Sequence, residues 1–121
     1  MANLYKTVVD DVSTTIDRTL YTTPLGTTAI FNSILVCNDN VADDDMTISI
    51  RVSNTPHPMF FGKSFSAGTT TQLLTTPLVV ESGDAIILNA QTGGRLHVIA
   101  SLLGIEVKIK TKTRLWVAYL M

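Results

Sequence analysis

Short runs of strand-forming residues, separated by turn residues, limit this chain to a β-structure. Within residues 46–52, Met46, Ile48 and Ile50 alternate with polar residues, which is the pattern of a strand with one solvated face. Turn signals recur at intervals of roughly 8–12 residues, the spacing typical of sandwiches and barrels. No stretch of helical length follows a 3.6-residue period better, so parallel strands joined by helices are not expected.

The predicted strands form one antiparallel β-sandwich of the jelly-roll or immunoglobulin-like kind, with about eight or nine strands. They cover residues 4–9, 12–21, 29–37, 46–52, 59–65, 70–74, 77–80, 85–90 and 96–103. The first two are polar enough to be edge strands or an N-terminal arm over residues 1–19. The apolar run at 34–37 predicts a central strand covered on both faces. The 121 residues fit a single domain, 1–121, with a C-terminal strand extension at 107–121.

Composition and charge exclude several classes of protein. Hydrophobic residues make up 45% of the chain and charged residues 16%, which is the balance of a folded globular protein. The net charge of −1 gives no overall field to attract nucleic acid or an anionic membrane. The N-terminus lacks the pattern of a signal peptide, and no apolar run approaches the ~18 residues of a membrane helix. We therefore expect no nucleic-acid partner, no membrane partner and synthesis in a cytosol.

The C-terminal residues carry a separate pattern. From Ile105 to Arg114, apolar or threonine residues at odd positions alternate with charged residues at even positions, which predicts a strand. From Trp116 onward both faces are apolar, so this end needs cover from its own sandwich or from a neighbouring subunit, through exchange of a terminal strand. The basic face is typical of a solvated strand, because no aromatic residue interleaves with it to stack on bases. Candidate interface residues here are Leu115, Trp116, Tyr119 and Leu120.

Cys37 is the only cysteine, which excludes an intramolecular disulfide and leaves a single thiol as a candidate nucleophile. A cysteine nucleophile needs a base, and the candidates are His57 and His97. Cys37 ends an apolar strand, where a free thiol behaves as a small hydrophobe. His97 lies between two apolar strand residues and is better explained as a half-exposed or hydrogen-bonded structural histidine. Two histidines 40 positions apart form no zinc motif, so we predict no catalytic residue, no metal and no cofactor.

The acidic loop at residues 38–45 is the one alternative to that conclusion. Asp39, Asp43 and Asp45 are a weak candidate for calcium, which takes about six to eight oxygen ligands. The loop lacks the glycine and glutamate positions of an EF-hand, and Asp and Asn are also common turn residues. A solvated loop therefore explains the sequence better, and the calcium hypothesis fails if a chelator leaves thermal stability unchanged.

Adjacent aromatic residues at Phe60 and Phe61 predict an exposed contact. Both cannot point inward from a regular strand, so one must lie outward or at a bulge, and outward aromatics are typical of interfaces. We expect a subunit contact here. The N-terminal segment supplies two further interface candidates, Leu4 and Val8.

Two parts of the chain resemble a known kind of protein. The first contains Leu20-Tyr21-Thr22-Thr23-Pro24, then Thr27-Thr28-Ala29, and a strand ending in Val36-Cys37-Asn38. The second contains the turn Glu81-Ser82-Gly83-Asp84 and the later segment Arg95-Leu96-His97-Val98. Together they resemble small β-sandwich structural proteins carried on the particles of tailed bacteriophages. The resemblance covers residues 20–106, and residues 107–121 extend past the usual end of the pattern.

This resemblance implies a non-enzymatic virion protein, assembled in the host cytoplasm. It would be a homo-oligomer, with a trimer favoured, that decorates or cements the capsid by binding the major capsid protein where capsid subunits meet. The alternative is a tail, baseplate or fibre component whose loops near 39–45 and 57–61 face a host glycan or another tail protein. A free carbohydrate-binding module is the alternative from another class, and it requires Trp116 and Tyr119 to be exposed together.

Overall fold

Nine β-strands connected by turns make up the computed structural model, which describes residues 3–13 and 15–106. The strands are β1 (Asn3–Val12), β2 (Arg18–Thr22), β3 (Thr27–Asn38), β4 (Asp44–Val52), β5 (Thr55–Phe65), β6 (Thr70–Gln72), β7 (Leu78–Val80), β8 (Ala85–Ala90) and β9 (Leu96–Glu106). The all-β prediction is confirmed. Among these residues there is no helix with the length and apolar character needed to cross a membrane.

The strands form two antiparallel sheets whose pairing is nested. One sheet has the order β1-β9-β3-β6, with β7 also pairing with β3, and the other has the order β2-β8-β4-β5. Among the described strands, β1 pairs with β9, β2 pairs with β8, and β3 pairs with both β7 and β6, and this nesting closes on the β4–β5 hairpin. This is the arrangement of a jelly roll, in which one long hairpin is wrapped into two sheets. An immunoglobulin sandwich instead keeps its first two strands in one sheet, whereas β1 and β2 lie in different sheets here.

Alternation along each strand produces the core between the sheets. In β9 the even-numbered residues from Leu96 to Leu102 are buried, while the odd-numbered residues face away from the core. The same period of two places one face of β3 and of β4 inside. The largest fully buried side chains are Phe31, Phe65, Ile34, Met46, Ile48, Ile86, Leu88, Leu96, Leu102, Val12, Val36 and Val80.

The single strand predicted at residues 12–21 is wrong. β1 ends at Val12, and β2 begins at Arg18 in the other sheet, so the intervening residues cross between sheets. An ion pair spans this crossing, because Arg18 Nε and Nη2 donate to Asp10 Oδ2 and Oδ1 at 2.7 and 2.8 Å. The Asp10 carboxylate, through this hydrogen bond, raises the pKa of Arg18. Residues 3–12 of the candidate N-terminal arm pair with β9 along their full length.

The sequence analysis also left residues 53–58 between two predicted strands, which is wrong for Pro56 and Pro58, because both lie in β5. The turn that reverses the chain is Ser53-Asn54, with φ angles of 51° and 65°. Two consecutive positive φ values are typical of the tight turn that matches the twist of a hairpin. β5 accepts prolines because it is an edge strand, where one side of the backbone needs no partner.

The apolar run at residues 34–37 is central, as predicted, but is not covered on both faces. β3 lies between β9 and the short strands β6 and β7. Ile34 and Val36 are fully buried, whereas Leu35 and Cys37 are only half-buried. Their side of the sheet faces away from the core. Of the predicted C-terminal strand, Ile105 and Glu106 belong to β9, and the remainder lies outside the described residues.

Candidate interaction surface

The side of the five-stranded sheet that faces away from the core, called here the outer face, carries apolar side chains in rows. Tyr5 pairs with Leu103, Leu103 with Ile30, and Ile30 with Val79, which forms the first apolar row. Directly paired residues of antiparallel strands have side chains on the same face, so the four lie side by side. Tyr5 is 79% exposed and Val79 is 49% exposed.

A second apolar row crosses the outer face nearer its other end. Val9 pairs with Ile99, and Ile99 pairs with Leu35. Val9 is 61% exposed and Ile99 is 38% exposed, although both belong to long regular strands. Between the two rows lie small polar residues, since Ser101 pairs with Thr7 on one side and with Ser33 on the other.

The outer face is large enough to hold a partner protein. Strand spacing and rise give it an area of roughly 600 Å², so covering it would bury about 1,200 Å² over both partners, the lower limit of a standard protein interface. Exposed apolar side chains grouped on one face of a sheet are typical of interaction sites. The outer face is therefore the candidate functional surface of the sandwich.

A histidine held between two carboxylates marks one end of the outer face. His97 Nδ1 lies 2.6 Å from Asp11 Oδ1, and His97 Nε2 lies 3.0 Å from Asp39 Oδ2. The hydrogen bond to Asp11 raises the pKa of His97, burial opposes this, and the charge of Asp39 adds to the rise. Because carboxylates accept at both ring nitrogens, this geometry fits the doubly protonated imidazolium. We call these three residues the His97 clamp, and they confirm the prediction of a hydrogen-bonded structural histidine.

The His97 clamp engages both imidazole nitrogens of His97, which a cysteine nucleophile would need as a base. Cys37 is a free, half-buried thiol on β3, directly across from His97 in the strand register. Both nitrogens of His97 already face carboxylate oxygens, so neither is directed to take a proton from the thiol. The other candidate base, His57, lies on β5 in the opposite sheet.

The acidic loop uses its polar side chains to hold the backbone. Asn38 is fully buried, and its Nδ2 donates to the carbonyl oxygens of Ala42 and Phe65 at 3.0 and 2.9 Å. Asp44 is also buried, and its carboxylate accepts from the backbone N–H groups of Asp45, Thr92 and Gly93 at 2.9–3.1 Å. The sequence analysis did not identify Asn38 and Asp44 as structural residues, because nothing in the sequence distinguishes them from the acidic and amide residues beside them.

The calcium hypothesis finds no support in this geometry. Asp39 contacts His97, while Asp43 Oδ1 accepts from the Ala67 N–H at 2.9 Å. Asp45 lies in β4, beyond the buried Asp44. Within residues 3–13 and 15–106, no group of three or more histidine, cysteine, aspartate or glutamate side chains is arranged to hold a metal ion.

The predicted interface residues fall into three groups. Leu4 and Phe61 are 60% and 84% exposed, and Phe61 is the outward member of the aromatic pair. Val8 and Phe60 are partly buried and pack against the core, because strand alternation turns them inward. Leu115, Trp116, Tyr119 and Leu120 lie outside the described residues. On the outer face, the exposed apolar residues that the sequence analysis missed are Tyr5, Val9, Val79 and Ile99, and the signal for them was apolar character at both odd and even positions of their strands.

An apolar cleft opens between the edge strands β1 and β2. It has a volume of about 160 Å³, and its lining includes Leu4, Tyr21 and Leu102. The ammonium of Lys6 lies 5.7 Å from the centre of the Tyr21 ring, within the range of a cation–π contact. Glu106, where β9 ends, also lines the cleft. The cleft therefore adjoins the point from which residues 107–121 continue.

The two turns that carry the phage-protein resemblance contact each other. The Thr23 N–H donates to the Asp84 carbonyl, and the Gly83 N–H donates to the Thr23 carbonyl, both at 2.9 Å. The buried Thr23 hydroxyl also donates to the Val80 carbonyl at 3.2 Å. Two segments about 60 positions apart thus form one hydrogen-bonded unit at the end of the sandwich.

Jelly-roll sandwiches occur in viral capsid proteins, in lectins and in cupins, so the fold by itself does not determine a function. No protein-family model, no curated protein sequence and no solved structure matches the chain. The features that bear on function are the outer face, the His97 clamp, the cleft and the exposed edge strands.

Proposed function

We propose that this protein is a non-enzymatic structural component of a tailed-bacteriophage virion, a homo-oligomer that decorates the capsid and stabilises the head. The observation that carries the proposal is the outer face, because a sheet with two exposed apolar rows is built to be covered by another protein. The resemblance of residues 20–106 to small phage-particle proteins supports the same role. The partners are further copies of the chain and the major capsid protein.

Stabilisation of a shell by such a protein needs no strong individual contact. Each copy covers a site of modest area, and linking several copies turns later contacts into intramolecular ones. Binding across the boundary between capsid subunits then opposes their separation, because anything that binds the assembled state better than the separated state shifts the equilibrium toward assembly. The outer face of each copy is the surface that we assign to the capsid.

The test is binding to empty capsid shells, measured as copies bound per particle and as the shift in the melting temperature of the shell. We expect stoichiometric binding, of the order of the number of capsid subunits, and a higher shell melting temperature. Val79→Lys places a charge in the first apolar row, whereas Val41→Lys places the same charge on a loop residue that is 96% exposed. The Val79 variant should lose shell binding, and the Val41 variant should retain it.

Two results would count against this role. Equal binding by the two valine variants would remove the outer face from the contact. A count of tens of copies or fewer per particle would instead favour the tail, baseplate or fibre alternative.

A further inference from the structure

Three of the four free sheet edges in the described part of the chain have features that limit pairing with another chain. β5 contains Pro56 and Pro58. β6 and β7 share one edge and have three residues each. β2 has five residues and a register shift in its pairing with β8. Short strands, prolines and irregular pairing are the usual protections of edge strands.

The fourth edge, β1, has none of these three protections, although it carries the charged residues Lys6, Asp10 and Asp11. It runs for ten residues without proline, and its register with β9 is continuous from Asn3–Ile105 to Val12–Leu96. It also carries three strongly exposed apolar side chains, Leu4, Tyr5 and Val9. A long, regular and apolar free edge is a template for a further strand.

The C-terminal segment, residues 107–121, follows the point where the described pairing of β9 ends. Among the described residues, the last pairs of β9 with its two neighbours are Asn3–Ile105 and Thr27–Glu106. The 15 residues that follow contain no glycine, proline, asparagine or aspartate to turn the chain back. Fully extended, 15 residues reach about 50 Å, which is enough to lie along an edge of another copy.

Charge favours contact between the C-terminal segment of one copy and the sandwich of another. All ten acidic residues lie within residues 1–106, which contain only five basic residues. The C-terminal segment has four basic residues, Lys108, Lys110, Lys112 and Arg114, and no acidic one. The segment of one copy is therefore attracted to the sandwich of another, and complementary charge of this kind sets both partner choice and association rate.

We propose that residues 107–121 of one copy add as a strand to the free edge of β1 in a second copy. This inference deepens the homo-oligomer of the proposed function and rests on that part of it, but not on a location in a virion. Backbone pairing along β1 satisfies hydrogen-bonding groups that each copy otherwise exposes, and the apolar residues of the segment extend the apolar surface beside Tyr5 and Val9. Closed exchange among identical chains gives a symmetric oligomer.

Cross-linking between differently tagged full-length copies tests the pairing. All copies carry Cys37→Ser, one population carries Thr7→Cys on β1, and the other carries Thr111→Cys or Thr113→Cys. A short bis-maleimide should link the two populations. The matched control moves the first cysteine to Thr55→Cys, an exposed threonine on the β5 edge. Linking at Thr55 as strong as at Thr7, or no linking at Thr7, would overturn the proposal.

A charge change in the full chain gives an independent measurement. Lys110→Glu/Lys112→Glu should raise the dissociation constant of the oligomer, measured by light scattering, by about tenfold or more, because it reverses the attraction to an acidic sandwich. Arg51→Glu/Lys63→Glu changes the net charge equally on β4 and β5 and should leave the constant within about threefold. Thermal melting checks that both variants fold, and equal effects of the two would overturn the proposal.

The outcomes separate this inference from the proposed function. A chain that cross-links through Thr7 but does not bind empty shells keeps the strand pairing and refutes the capsid role. A chain that binds shells as a monomer, with no cross-link at Thr7, keeps the capsid role and refutes the strand pairing.

Discussion

The side chains of His97 and Asp11 join β9 to β1 at the end of the outer face, with Nδ1 and Oδ1 2.6 Å apart. The two residues are direct partners in the strand register, so backbone pairing brings them together. Asp39 adds the β3–β4 loop to the same imidazole. The His97 clamp thus holds one end of the edge strand to which we assign a second copy.

The clamp predicts a stability that depends on pH. The pKa of His97 is raised above 6.5 by its bond to Asp11, so protonation favours the folded state. The contribution should be complete below about pH 6.5, the unfolded value, and lost as the pH rises through the folded pKa. Because the group is partly solvated, we expect at most about 1 kcal/mol. Thermal melting across this range should show the loss in the wild type and in His57→Gln, and a flatter profile in His97→Gln.

The hydrogen bonds of Asp44 predict that its carboxylate stabilises the folded acidic loop. Asp44→Asn should lower the free energy of unfolding by about 2–3 kcal/mol, because one side of the carboxylate that accepts backbone N–H groups becomes a donor. Asp43→Asn is the control, since exposed Asp43 accepts from the Ala67 N–H. Denaturant unfolding compares the two, and a larger loss at Asp43 would contradict the assignment.

Two phenylalanines should respond in opposite ways to truncation. Phe31 is fully buried and meets the Tyr21 ring edge-on at 5.8 Å, so Phe31→Ala should cost about 3–5 kcal/mol of stability. Phe61 is 84% exposed, and Phe61→Ala should change stability by no more than about 0.5 kcal/mol. If the isolated protein loses as much stability at Phe61 as at Phe31, the outward position of Phe61 is wrong.

The β4–β5 turn should accept stabilising substitutions. Ser53 and Asn54 both have positive φ, which disfavours most side chains and favours the pair Asn-Gly. Ser53→Asn/Asn54→Gly should stabilise the fold by about 1 kcal/mol and raise the melting temperature. Ser53→Val should do the opposite, because a β-branched side chain is strained at this φ. A rise in melting temperature with valine would exclude this turn geometry.

Local patterns in the sequence were sufficient for the fold class. A period of two, read at residues 46–52 and across the chain, decides which side chains of a strand share a face, and it depends on neighbours in the chain alone. The same rule required that Phe60 and Phe61 face opposite ways. The period of two was not sufficient to predict the jelly-roll pairing, because it does not determine which strands are neighbours.

The tertiary structure decided the candidate surface. The apolar rows exist because β1, β9 and β3 pair in one register, which places Tyr5 beside Leu103 although they are far apart in sequence. The His97 clamp likewise needs three separate segments to meet. From the sequence, residues 34–37 were predicted to be covered on both faces. The prediction failed because an exposed apolar face and a buried apolar face consist of the same residue types. Which face meets the core depends on long-range packing, and the uncovered face is the one that we assign to partners.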